Sequence, residues 1–457
     1  VAERGIATLA RERQSQLLSA ELRITDNILL CGQRAISFDA TTLHYGTTRL
    51  DHNLMLLCTD ASVVATGGVL LGSSVSVADN VMYTMGDGVR AGIDGLALER
   101  NEITGLGARN RNRNGIVLQE GLDPVALDRV RIVANRVSLM RGNGIAIRHR
   151  VEDALIADNL IDATGQAGLL MEEGGAAGYL MLRGNQFRRL GLLLEDAERG
   201  FAGVQLVDIT RGDVLDNLIA DVAREAANSP GVDGLRALAI GELRIAGNRL
   251  HGIGPDRIGG PVAAIRLLPP FDRVAIDDNT LDRVSGPDQK PVMAQWWALL
   301  VAIEPRGAAG ELATASSHYG ISHLATAAES AYLLTTNRVR AIALAPSNLS
   351  IRGNRMCGQQ SAVPLVQCLQ MAYCLFADNH CEALGEGGRG PVIGQIGGRS
   401  LNASNNHLRG PGDTDTLHLL PERKQAIVIG NTSSGNIRVP SGAPVPADIS
   451  LTNIIGI

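Results

Sequence analysis

The sequence is poor in aromatics, in lysine and in long apolar runs. Aromatic residues make up 3% of the 457 residues, which leaves few flat rings of the kind on which sugars stack. Lysine occurs only at Lys290 and Lys424, so nearly every cation is an arginine. A formal net charge of -5 and an isoelectric point near 6.0 exclude the basic character of a nucleic-acid binder. The best apolar stretch, Trp296 to Ile303, falls far short of the roughly 20 residues of a membrane-spanning helix. The six cysteines, Cys31, Cys58, Cys357, Cys368, Cys374 and Cys381, form no CxxC pair, which argues against a zinc site. Buried free thiols are the favoured reading, with disulfides in an oxidising compartment as the other. Gly252-Ile-Gly254 lacks the third glycine of a dinucleotide loop, no phosphate-binding loop is found, and no cofactor or metal is expected. The chain starts at Val1 without a charged and then apolar leader. It is therefore expected either to have lost a leader or to be part of a longer polypeptide.

Glycine, by contrast, is abundant, at 53 residues, with a hydrophobic share of 45% and a charged share of 19%. That is too apolar for disorder, and the chain is long enough to bury a large core. One phrase recurs: apolar, x, apolar, x, x, Asn, x, apolar. It reads Leu96-Ala-Leu-Glu-Arg-Asn101-Glu-Ile103, then Val130 to Val137 around Asn135, and Ala154 to Ile161 around Asn159. Further copies centre on Asn185, Asn217, Asn248, Asn279, Asn354, Asn379 and Asn406. Asn27, Asn80 and Asn431 extend the series to both ends. The asparagines mostly stand roughly 25–34 residues apart, and the gap from Asn279 to Asn354 is close to three such periods. Alternation of period two marks a short strand on each side of the Asn. The Asn is expected at a sharp turn, because it tolerates the left-handed conformation. A second phrase lies between: Gly115-Ile-Val-Leu118, Gly144-Ile-Ala-Ile147, Gly168-Leu-Leu-Met171 and Gly203-Val-Gln-Leu206. A unit of two or three such strands cannot bury its apolar face alone and must stack on copies of itself.

These phrases resemble the repeats of right-handed parallel β-helices of the pectin-lyase-like superfamily, over roughly residues 20–440. The resemblance implies three sheets per coil, a core of stacked side chains and asparagines bonded to one another along the axis. The fold class expected is all-β: a right-handed parallel β-helix of roughly a dozen or more coils, rising about 4.8 Å each. It carries a short N-terminal capping helix and one long loop insertion. The domain reading is a cap over 1–20, the β-helix over 21–440 and a tail or cap over 441–457. Residues 2–19 read as the capping helix, with Ile6, Leu9, Leu17 and Leu18 as contacts. The irregular region, about 285–347, reads as two degenerate coils around a loop excursion holding His318 and Tyr319.

Aligning the glycine phrase brings out one constellation. Five residues after each glycine stand Glu120, His149, Glu173 and Asp208; four residues after stand Gln119, Arg148, Glu172 and Val207. In a stack these form columns with neighbours about 5 Å apart and alternate coils about 10 Å apart. Those separations bracket the carboxyl distances of glycosidases, and a His between carboxylates can act as general base. Glu120, His149, Glu173 and Asp208 are thus the catalytic candidates. Arg148, Glu172, Trp296, Trp297, His318 and Tyr319 are the binding candidates. The competing reading is a solvated edge, which every solenoid needs. The polygalacturonase signature of the superfamily is missing except for Asp277-Asp278, which lies inside an ordinary repeat. No calcium-binding acid cluster like that of pectate lyases is found.

The leading functional expectation is a non-catalytic structural or binding module: a stiff rod presenting loops to a glycan, a cell surface or a larger assembly. The alternative is a polysaccharide lyase or glycoside hydrolase working along the groove. A further alternative, suggested by the resemblance, is a subunit of a phage-tail-like or spike assembly. Expected partners are a polysaccharide or cell-surface glycan, or other subunits, with an extracellular or surface-associated location favoured.

Overall fold

A computed structural model of the chain describes residues 2–7, 21–38, 47–66, 74–107, 113–121, 126–172, 174–193, 201–225, 231–255, 261–283, 295–301, 347–359, 363–384, 391–411, 414–439 and 453–455. Their regular structure is entirely β-strand. The chain divides into two compact units, Val1–Leu193 with Ile209–Gly212, and Leu194–Asp208 with Asp213–Ile457. Each is a parallel β-solenoid.

In the first unit every coil contributes up to three strand positions. The pre-turn ladder runs through Glu21–Thr25, Thr47–Asp51, Ser74–Ala78, Leu96–Glu99, Val130–Val133 and Arg150–Ala157, in parallel register. Its inward residues Ile24, Leu50, Val77, Leu98, Ile132 and Ile156 are all buried, which stacks like on like along the core. After the turn comes a second ladder, Leu54–Cys58, Val81–Thr84, Glu102–Gly105, Arg136–Ser138 and Leu160–Asp162. The glycine phrase forms the third, through Asp87–Ala91, Ile116–Leu118, Ile145–Ile147 and Leu169–Met171. The glycine is needed because of a close approach. A Cβ on Gly115 would strike Val137 Cγ1, and one on Gly144 would strike Ile161 Cγ2.

In the second unit the glycine-phrase and pre-turn strands run together as long strands, among them Val232–Ala246, Val262–Asp277 and Gly394–Ser404. The post-turn strands stay short and in register from Leu218–Val222 to Thr432–Ser433.

The asparagines form the ladder that the resemblance implied. Asn159 shows how: its backbone N–H and Nδ2 both donate to Asn185 Oδ1, at 3.0 and 2.9 Å. Nδ2 also donates to the Ile132 and Ala157 carbonyls, at 2.8 and 2.9 Å. Asn354 does the same in the second unit, toward Asn379 and the Ile276 and Arg352 carbonyls. The left-handed residue, however, is the one before the asparagine: Asp26, Asp79, Asp158, Asp216, Asp278 and Asp378 all have φ between 54° and 59°. This corrects the sequence reading. The turn residue before it takes the unusual backbone, and the asparagine is kept for its buried amide, which offers a carbonyl acceptor and two N–H donors in one side chain.

Other expectations also change. Residues 2–7 are not helical; Ala2–Ala7 is a strand paired in parallel with 31–37. The open edge of the first glycine-phrase strand presents unpaired N–H and C=O groups, and an extended segment satisfies them. Residues 8–19 lie outside the described residues. The Asn279–Asn354 gap is one coil, not several: Asn279 Nδ2 donates directly to Asn354 Oδ1 at 3.0 Å. Trp296–Val301 and Asn348–Arg352 supply the strands of the intervening rung and pair with the coils on both sides, so there is no room for a further coil. The strand-like stretches expected between 331 and 344 lie outside the described residues. At the far end Asn453 accepts from Asn431 and Ile454–Ile455 pairs with Thr432–Ser433, adding a rung where a covering tail was expected.

All six cysteines are free, and all but Cys357 are buried. Burial pushes the Cys58 thiol up to about 11, which makes it a poor nucleophile.

Candidate functional site

The residues that follow the glycine-phrase strands do stack on successive coils of the first unit. The Arg148 N–H donates to the Leu118 carbonyl at 2.7 Å, and the Glu172 N–H to that of Ile147 at 2.9 Å. A side-chain contact joins two of the candidates: Arg148 Nε donates to Glu172 Oε2 at 2.9 Å, with both groups half-buried. Glu120 is exposed and His149 half-buried. Asp208, half-buried with φ of 48°, belongs to the second unit. Glu173, His318 and Tyr319 lie outside the described residues. Trp296 and Trp297 are both buried. Trp297 packs with Ala263, Leu300 and Val363, and its Nε1 donates to Gln367 Oε1 at 3.0 Å. Both rings therefore pack the protein instead of facing solvent as sugar platforms. Among the described residues no group of three or more His, Cys, Asp or Glu is placed to hold a metal ion.

A different constellation sits on the outer side of the glycine-phrase strands. Asp87 and Arg90 pair at 2.7 Å, Asp233 and Arg236 at 2.7 Å, and Asp415 and His418 at 3.0 Å. All three are Asp-x-x-Arg or Asp-x-x-His at the same place in the repeat. The signal was present as Asp87-Gly-Val-Arg90 and Asp233-Gly-Leu-Arg236, but its meaning needs the register. In the second unit Arg266 Nε also reaches Asp233, at 3.0 Å, and Arg236 bonds Gln205 and the Phe201 carbonyl. Asp233, Arg236 and Arg266 are 0% exposed. In the first unit the network is wetter, with Arg90 and Arg34 both on Asp60. Burial opposes ionisation of Asp60, yet the hydrogen bonds from Arg34 and Arg90 outweigh it and hold the carboxyl below its usual range. Asp415 is brought down to about 2, chiefly by its hydrogen bond from Arg438. Carboxylates held this firmly by guanidinium groups are structural ties, unsuited to proton transfer near neutrality.

The outward residues of the post-turn ladder differ between the units. In the first, Ile28, Leu54 and Val81 stand in one column and Leu30, Leu56 and Tyr83 in the next. Ile28 is 76% exposed, and Leu30, Leu57, Tyr83 and Met85 are exposed too. In the second, the matching column reads Arg249, Thr280, Arg355, His380, His407 and Thr432. No protein-family model and no curated protein matches the chain, so its function has to be read from these surfaces.

Proposed function

We propose that the chain is a non-catalytic structural or binding module that joins a larger assembly laterally, by pairing with a second copy of itself. The observation that carries this reading is the apolar face of the first three post-turn rungs of the first unit, before the column turns charged at Glu102 and Arg136. Soluble monomers rarely expose contiguous apolar area beyond a few hundred Å² unless it marks an interaction site. Three consecutive rungs, Ile28–Leu54–Val81 beside Leu30–Leu56–Tyr83, carry no charge at all. A neutral face of this kind has nothing to offer a charged partner and is complementary to its own copy, as an isologous contact requires. The superfamily resemblance, with its glycan-binding, surface and spike-like members, agrees with a module of this sort.

The enzyme reading rests on Glu120, His149, Glu173 and Asp208 as the acid–base set. It is weakened by the Arg148–Glu172 pair, which occupies one carboxylate of the same edge. Light scattering of the purified chain tests the assembly reading. Association that is lost in the Leu30→Asp, Leu56→Asp double variant supports it. A wild-type chain that stays monomeric at high concentration contradicts it.

A further inference from the structure

The basic column of the second unit runs along its post-turn strands. His380 and His407 occupy the same position on adjacent rungs and stack with ring centroids 4.8 Å apart and planes 11° from parallel. Arg355 stands in register on the rung before them and Thr432 on the rung after. The neighbouring column holds Asp282, Cys357, Glu382 and Arg409. Glu382 is taken up by Arg409 at 3.2 Å. Arg355, His380, His407 and Arg409 are all exposed.

Stacking two imidazoles beside an arginine is an odd choice for a surface meant only to be solvated. Each added proton repels the next, and nothing in the His–His–Arg column is acidic. We propose that this column is a proton-gated binding site for a tetrahedral oxyanion, the sulfate or phosphate group of an ester. Such a group has three free oxygens for the Arg355 guanidinium and the imidazole N–H groups, more than a carboxylate can offer. Rungs repeat about every 4.8 Å, so Arg355, His380 and His407 span about 10 Å, enough for one such group or two successive ones.

The electrostatics agree with the geometry. Partial burial, and then the neighbouring His407, lower the His380 pKa; Arg355 and Arg409 add to this, while Glu382 opposes it. His380 is therefore held toward its neutral form and gains its positive charge only on acidification. A bound oxyanion must raise the His380 pKa by the same coupling through which protonation strengthens binding. Asp378, exposed at the turn before Asn379, and Asp282 are the other acids nearby.

The test uses the full chain labelled at its nine histidines, followed by imidazole NMR. Inorganic sulfate is the first probe, because its charge does not change across the range. The expected result is saturable binding at about pH 5.5 that weakens about tenfold by about pH 7.5, with His380 titrating higher when sulfate is present. His380→Gln with His407→Gln should abolish the pH dependence, and Arg355→Gln should weaken binding at every pH. Inorganic phosphate and acetate form the other arms. Tighter binding of phosphate than of sulfate assigns the site to phosphate esters, and the reverse to sulfate esters. Equal binding of acetate, or no saturation by either oxyanion at about pH 5.5, overturns the proposal.

Discussion

The post-turn face of the first unit is apolar and uncharged over its early rungs, whereas that of the second is a column of arginine and histidine. Beneath both faces the inward residues are the same in kind: Leu29 is followed by Met55 and Met82, and Met356 by Cys381 and Leu408, with those from Met55 onward buried. The asparagine ladders that hold the coils in register are also built alike. A solenoid separates the two demands that a globular core mixes. Inward positions answer to stacking and are nearly interchangeable between coils, while outward positions are left free to carry whatever the surface must do.

The sharpest difference between the units is the dryness of their Asp-x-x-Arg pairs. Removing one partner of a fully buried pair leaves an uncompensated charge, at a cost of about 3–5 kcal/mol. Asp233→Asn, which takes the carboxylate from both Arg236 and Arg266, should therefore destabilise the second unit by that order, whereas Asp87→Asn, whose partner Arg90 is 17% exposed and keeps Asp60, should cost clearly less in the first. Denaturant unfolding followed by local hydrogen exchange measures both; equal costs would erase the distinction. Next come the ladders themselves. Asn159→Leu and Asn354→Leu each strip donors from buried carbonyls and a partner amide, at about 1–3 kcal/mol per group left unpaired. The two should lose similar amounts, because the bonds are the same. A large effect in one unit alone would break the claim that they are built alike.

The smallest effect is in acid. A carboxyl held low in the folded state stabilises the protein above its ordinary pKa, near 3.9, and loses that contribution as pH falls through the folded value. For Asp415 that value is about 2. The last coils should therefore lose stability between about pH 4 and pH 2, and Asp415→Asn should flatten that part of the profile measured by exchange. His380 works the other way, since its lowered pKa makes protonation destabilising below the usual histidine value.

Much of this was legible in the residues. The recurring asparagine and glycine phrases yield the parallel solenoid, because units so short cannot bury an apolar face alone and must stack on copies of themselves. Asn53 escaped because Thr48 fills the first apolar slot of its phrase. Asn453 escaped because it follows the proline-rich stretch and its phrase is displaced. The insertion before Ser347 hid a single rung, since length in sequence says nothing about rise along the axis. Of the candidate edge, the stacking of Arg148 and Glu172 was readable from the repeat, but their pairing with each other was not. The His380–His407 stack was visible as histidine directly after two successive ladder asparagines. Its significance depends on register, which places Arg355 on the same column.

That register is best tested across the insertion. Thr280 and Arg355 occupy neighbouring rungs, and His380 lies one rung further on. Adjacent rungs lie about 4.8 Å apart, within the reach of a disulfide, and alternate rungs do not. In a Cys357→Ser background, Thr280→Cys with Arg355→Cys should form a disulfide readily on mild oxidation, and Thr280→Cys with His380→Cys should not. Bonding of the second pair without the first would show that the coils do not stack in this order.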